Sequence, residues 1–317
     1  MLIRKASLIL LLALQAIPGN AWSLTNTFIG SDFYNGFTWE TFDDPTHGRV
    51  NYVDQATAQS SNLSYAGASN FIIRADSYNV VSGSARGRDS VRIQSTASFG
   101  DSVLVLDLAH MPAGCGTWPA FWTTTTGSWP NGGEIDIIEG VNEASSNLAS
   151  LHTTPGCTMP DGRWMSGSST AEDCDTSVDS NTGCGVSNNK ANSYGTDFNT
   201  AGGGWYIMRR SAMLGVSVWF WSRHDTSVPW DISSGAFTLN EYTWGQPVAS
   251  FPPQHCDMPS HFGTHNIVFD LTFCGDWAGS AYASSGCPGS SCQDHVDNYP
   301  GAFTEAYWDI NSLRVYQ

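Results

Sequence analysis

The chain is broken into short apolar runs, SVRIQSTASF, DSVLVLDL, GEIDIIEGV, LASLHTT, VSVWFW and HNIVFDLTF, each bounded by Gly, Ser, Asn or Pro. Runs of this length, rich in β-branched and aromatic residues, form strands. Beyond the first residues no stretch sustains a helical apolar period, so the sequence offers no face on which a helical core could assemble. The closing AYWDINSLRVYQ alternates polar and apolar residues and supplies a final strand. An all-β sandwich is predicted. With no internal repeat and no Pro/Ser/Thr-rich linker, residues 22–317 read as one domain.

The first residues have a different character. Arg4 and Lys5 precede the apolar run Leu8 to Leu14, and the small residues Gly19 and Ala21 follow. This is the pattern of a signal peptide over residues 1–21. The apolar run is too short to cross a bilayer, and LRVYQ carries neither a second span nor a lipid-anchor signal. A secreted protein, monomeric and without membrane attachment, is the expectation. Eight cysteines, an even number, fit an oxidising compartment and up to four disulfides. Cys287 and Cys292, in CPGSSC, read as a local loop staple rather than a metal site, since no paired CxxC or HExxH motif accompanies them. The stretch 157–192, with three cysteines among Gly, Ser, Thr, Asn and Asp, reads as a long disulfide-tied loop. Asn62-Leu63-Ser64 is the one glycosylation sequon.

Acidic residues number 29 against 13 basic ones, for a net charge of −16 at pH 7. Such a surface repels nucleic acid and anionic membranes. A neutral polymer, held by stacking and hydrogen bonding, suits it better. Thirteen tryptophans in a chain with only 13% charged residues point the same way.

Against this background GGEIDIIEG, residues 132 to 140, places Glu134, Asp136 and Glu139 in an otherwise apolar strand. Alternation puts Glu134 and Asp136 on one face and turns Ile135 and Ile137 into the core. On a regular strand Glu139 would point inward, where a lone charge is very costly. One extra residue, a β-bulge around Ile137 and Ile138, restores the phase. The Glu134 and Glu139 backbones would then lie about 13 Å apart. Side chains leaning together can bring the two carboxyls near the roughly 5–5.5 Å used in retaining glycoside hydrolysis. Like charges at close range push one pKa up, which separates a protonated acid from an ionised nucleophile. A solvated acidic strand face and a calcium site are the alternatives; the latter sits poorly on a strand.

Upstream runs GCGTWPAFWTTTTGSWPNGGEID, and further on come LHTTPGC, HFGTHNIVFDLTFCGDWAG and the terminal AYWDINSLRVYQ. Together these resemble glycoside hydrolase family 16, in its fungal laminarinase branch, over nearly all of the chain beyond residue 21. The resemblance implies a jelly roll of the concanavalin A type with a substrate cleft on the concave face. It makes Glu134 the nucleophile, Glu139 the acid/base and Asp136 a hydrogen-bonding partner of the nucleophile. It implies sugar platforms at Trp118, Trp122, Trp129 and Trp277, with His152 beside the acid/base and Arg92 on the glycone side. Arg88 competes for the last role. Trp205, Trp219 and Trp221 read as core. The implied activity is a retaining endo-β-glucanase acting on β-1,3-glucan, and on mixed β-1,3/1,4-glucan because the six-position acid motif carries the bulge. No cofactor is implied, and a structural calcium has no identifiable ligand set. The rival readings are a glucan transglycosylase with the same residues and a non-catalytic β-glucan-binding protein.

Overall fold

The computed structural model describes residues 21–317, so the expected signal peptide, apart from Ala21, lies outside the described residues. Two antiparallel sheets pack face to face. The first runs Ser168–Ser169, Cys184–Ser187, Leu148–His152, Glu134–Glu139, Thr117–Thr124, His265–Phe273, Arg92–Phe99 and Phe37–Trp39. The second runs Thr238–Leu239, Trp22–Phe28, Tyr307–Tyr316, Ser102–His110, Gly204–Ser211, Gly215–Ser222 and Ala249–Phe251, and Phe71–Arg74 pairs beside Tyr307–Tyr316 with Ser64–Ala66 outside it. Neighbouring strands are often distant in sequence, as where His265–Phe273 inserts between Thr117–Thr124 and Arg92–Phe99.

Alternation along each strand builds the core. Cys184, Leu151, Ile135, Ile138, Phe121, Phe269 and Ile93 face inward from the first sheet and are closed off from solvent. Leu104, Leu106, Met208, Val218, Phe220, Leu313 and Val315 meet them from the second. Burying each large apolar side chain contributes about 1.5–3 kcal/mol, and Phe121 stacks on Phe269 with ring centroids 4.5 Å apart. The far side of the second sheet is apolar too. Trp205, Trp219 and Trp221 are buried there with Val103, Val105 and Ile207 under Ile232, Leu239 and Trp244. In VWFW, therefore, Phe220 enters the central core while its two flanking tryptophans enter this outer cluster.

Four disulfides staple the frame, Cys115–Cys287, Cys157–Cys256, Cys174–Cys184 and Cys274–Cys292. The expected Cys287–Cys292 staple is not formed. Cys292 opens the helix Cys292–Asn298 and is buried beside Cys274, whereas Cys287 reaches back to Cys115, which precedes the strand Thr117–Thr124. The 157–192 excursion is tied at both levels, internally by Cys174–Cys184 and to the body by Cys157–Cys256. Asn62 lies exposed in the turn after the helix Gln55–Ser60.

Candidate active site

The outer face of the first sheet carries the acids. In the pairing of Glu134–Glu139 with Thr117–Thr124, Asp136 stands opposite Trp122 and Ile138 opposite Phe121, so Ile137 is the extra residue of a bulge. Ile137 and Ile138 are both fully buried. Glu139 thereby returns to the outer face, opposite Ala120. A bulge leaves backbone groups without ladder partners, and Asn147 satisfies two of them. Its Nδ2 donates to the Ile137 carbonyl at 2.9 Å and its Oδ1 accepts from the Glu139 N–H at 3.1 Å.

Each outer acid receives an indole N–H. Trp118 Nε1 donates to Glu139 Oε1 at 2.9 Å, and Trp129 Nε1 donates to Glu134 Oε2 at 2.9 Å. Trp277, half-buried on the turn Gly275–Gly279, meets the Trp118 ring edge-on at 5.7 Å. Trp129 is 46% exposed, on a turn fastened by hydrogen bonds from Gly263 N and His265 Nε2 to the Gly132 carbonyl. Gly133 leads from that turn into the strand at φ +78°, and a Cβ there would lie 2.5 Å from the Phe262 ring. Only glycine fits both demands.

Asp136 is 3% exposed and accepts from Ser150 Oγ at 3.2 Å. His152 Nε2 lies 3.4 Å from Asp136 Oδ2, and its Nδ1 meets Asn181 Oδ1 at 3.0 Å. In the ladder His152 stands opposite Glu134, while Glu139 is opposite Leu148. The histidine thus flanks the first two acids directly, and its charge also reaches Glu139.

The structure separates Arg92 from its competitor Arg88. Arg88 is fully buried away from this face, bonded to the Val296 carbonyl and Asp76, with its guanidinium over Phe303. Arg92 does reach the outer face, but it is committed to protein partners. Its Nε donates to Glu40 at 2.7 Å and its Nη1 to Asp270 at 3.1 Å. The guanidinium lies between two rings, 5.0 Å from the centroid of Phe42 and 4.9 Å from that of Trp122.

Burial raises the proton affinity of all three acids. Glu139 is pushed up to about 6, held back by the Trp118 hydrogen bond and the nearby His152. Glu134 is raised by burial against the pull of His152, the Trp129 bond and Arg92. Asp136 rises well above its usual range, first by burial and then by the charges of Glu134 and Glu139. Donor atoms of Glu134, Asp136 and His152 fall within 4.8 Å of one another. Two carboxylates and a nitrogen fall short of the six to eight oxygens calcium prefers. The Trp129 N–H also occupies a carboxylate oxygen that a cation would need.

A model of the XgeA-like catalytic domain of glycoside hydrolase family 16 matches residues 37–316. The chain belongs to family 16. It is a glycoside hydrolase with the jelly-roll fold. It is 47% identical to a probable glycosidase of Schizosaccharomyces pombe over 93% of this chain and 69% of that one. It is 37% identical to an endo-1,3(4)-β-glucanase of Arthroderma benhamiae over 99% and 69% respectively. Laminarinase 16A of Phanerochaete chrysosporium, solved with 6-O-glucosyl-laminaritriose in donor and acceptor sites, superposes with a TM-score of 0.92 at 54% identity, covering 94% of this chain and 100% of that one. An elongating family 16 β-1,3-glucosyltransferase superposes with a TM-score of 0.86 at 37% identity, covering 93% and 100%.

Two residues of this family 16 site escape a reading of the sequence. Asp270 sits on the outer face in the line Glu139, Ala120, Asp270 across three strands, and accepts from Trp122 Nε1 at 3.0 Å. The signal was available, because Asp270 interrupts the apolar HNIVFDLTF as Asp136 interrupts GEIDIIEGV. Asn147 had no such signal, since its role depends on a connection folding back onto the bulge.

Proposed function

We propose that this hydrolase is a secreted, monomeric, single-domain retaining endo-β-glucanase that cuts internal β-1,3 linkages and accepts mixed β-1,3/1,4 chains. The observation that carries the mechanism is the bulge at Ile137, which sets Glu134 and Glu139 on one face with different surroundings. Glu139, half-buried and near pKa 6, protonates the departing glycosidic oxygen while Glu134 attacks the anomeric carbon. Glu139 then takes a proton from water as the glycosyl-Glu134 ester is hydrolysed. The charges of Glu134 and Glu139 raise the proton affinity of Asp136 between them. Trp118, Trp122, Trp129 and Trp277 offer faces on which pyranose CH groups can stack. The substrate class is supported by the names of the laminarinase and endo-1,3(4)-β-glucanase relatives, and export by four disulfides. The chemistry needs no cofactor.

Incubation with laminarin, lichenan and carboxymethyl-cellulose, following reducing ends beside Glu134→Gln, tests this. Hydrolysis of the first two that vanishes in the variant supports the reading, and intact polymers overturn it. Likeness to an elongating glucosyltransferase favours a second reading, transfer of the same glycosyl-enzyme to a glucan acceptor. Mass spectrometry of products from a short laminari-oligosaccharide separates the two, because only transfer yields longer chains.

A further inference from the structure

Asp270 is buried, 6% exposed, yet it lies on the sheet face that carries the acids. One of its oxygens, Oδ2, takes both the Trp122 indole N–H at 3.0 Å and the Arg92 Nη1 at 3.1 Å. Arg92 is itself clasped from the other side by Glu40, and its flat guanidinium is sandwiched between Phe42 and Trp122. Trp122 stands opposite Asp136 on the neighbouring strand. The ring nearest the central acid in the ladder is therefore fixed by its nitrogen at one edge and by a cation on its face.

We propose that Asp270 is a positioning residue of the glucan reaction, whose carboxylate locks Trp122 and Arg92 into one stack and so fixes the sugar platform beside the catalytic acids. The inference rests on the function proposed above. It reassigns Arg92 from a sugar-binding group to a support beneath the platform. It also gives Glu40 and Phe42, in the segment after the strand Phe37–Trp39, a part in substrate affinity.

Several ionisable groups face Asp270. Arg92 favours its charged form, and Asp44 and Glu139 oppose it. Tyr52 and Asp136 lie close enough for its charge to raise their own proton affinity. Asp44 itself accepts from Thr272 Oγ1 at 2.6 Å on the same strand as Asp270. Burial outweighs the Arg92 attraction and pushes Asp270 up to about 7. The ionised carboxylate grips Arg92 more strongly than the neutral acid does, so the platform tightens as pH rises through this range.

The test measures laminaritriose affinity by tryptophan fluorescence between pH 5 and 8, in the full chain carrying Glu134→Gln, with and without Asp270→Asn and Asp270→Ala. Affinity should rise with pH in a step near 7. Asp270→Asn, which fixes an uncharged acceptor, should lose that step and bind at every pH as the parent does at pH 5. Asp270→Ala should bind about tenfold more weakly, the loss expected for a charge-assisted hydrogen bond. In the otherwise wild-type enzyme the same substitutions should raise KM on laminarin with little change in kcat. If Asp270→Ala does not fold, Trp122→Phe replaces it, and combining it with Asp270→Asn should cost no more than the larger single effect. Affinity that is unchanged in Asp270→Asn at pH 8, or additive losses in the double variant, would overturn the inference. Failure of the wild-type enzyme to cut laminarin would instead sink the proposed function, because the binding measurement does not depend on turnover.

Discussion

The indole nitrogen of Trp118 donates to Glu139 Oε1 over 2.9 Å, so a side chain proposed as a sugar platform is also an electrostatic control on the proposed acid/base. A donor aimed at a carboxylate favours the ionised form, and this bond holds Glu139 down to about 6 against burial. Trp118→Phe keeps an aromatic face but removes the donor. The Glu139 pKa should then rise, and the basic limb of the kcat profile should move to higher pH. An unmoved limb would separate Trp118 from the titration of Glu139.

The division of roles proposed for Glu134 and Glu139 makes an asymmetric forecast. Glu134→Ala should abolish hydrolysis, yet it should join an α-glycosyl fluoride to a sugar acceptor, because the fluoride mimics the missing covalent intermediate. Glu139→Ala should lose at least about a hundredfold on laminarin, in line with the loss of a general acid/base. It should recover on an activated aryl β-glucoside of a laminari-oligosaccharide when azide is added. Azide rescue of the first variant to a retained product, or its failure in the second, would reverse or refute the assignment.

Asn147 supplies the bond pair that the bulge lacks. Asn147→Ala would leave the Ile137 carbonyl and the Glu139 N–H buried without partners, at about 1–3 kcal/mol each. The expected result is a lower urea midpoint together with a fall in kcat larger than any change in KM, since Glu139 loses its backbone anchor while the platforms remain. Steady-state kinetics beside equilibrium unfolding checks both. A variant that is destabilised but keeps wild-type kcat would confine Asn147 to stability alone.

What could be read from sequence followed from periodicity. The alternation of GEIDIIEGV and the cost of burying Glu139 were enough to infer a bulge, and the register shift past Ile137 meets that expectation. The all-β sandwich followed from run length in the same way. Pairings made by chain return were not legible. Cys287 finds Cys115 across 172 residues rather than the nearby Cys292, because spacing along the chain says nothing about which loops the sheets bring together. Arg92 shows a related limit. Its place on the outer face follows from the strand, but Glu40 and Asp270 claim its guanidinium from elements far away in sequence.

The raised acids also carry a stability signature. The folded-state pKa of Glu139, about 6, exceeds that of an unfolded glutamate, about 4.3. The folded chain therefore binds the proton more tightly. The stability gained from this is complete below about pH 4 and is lost as pH rises through 6, where a buried charge begins to oppose folding. Glu139→Gln removes that charge while keeping the side-chain shape. It should leave stability near the wild-type value at pH 4 and raise it at pH 8 by up to about 2 kcal/mol, the linkage value of such a shift. Urea unfolding of both proteins at the two pH values checks the sign. A variant less stable than the wild type at pH 8 would mean that the ionised Glu139 contributes more through Trp118 and His152 than its burial costs.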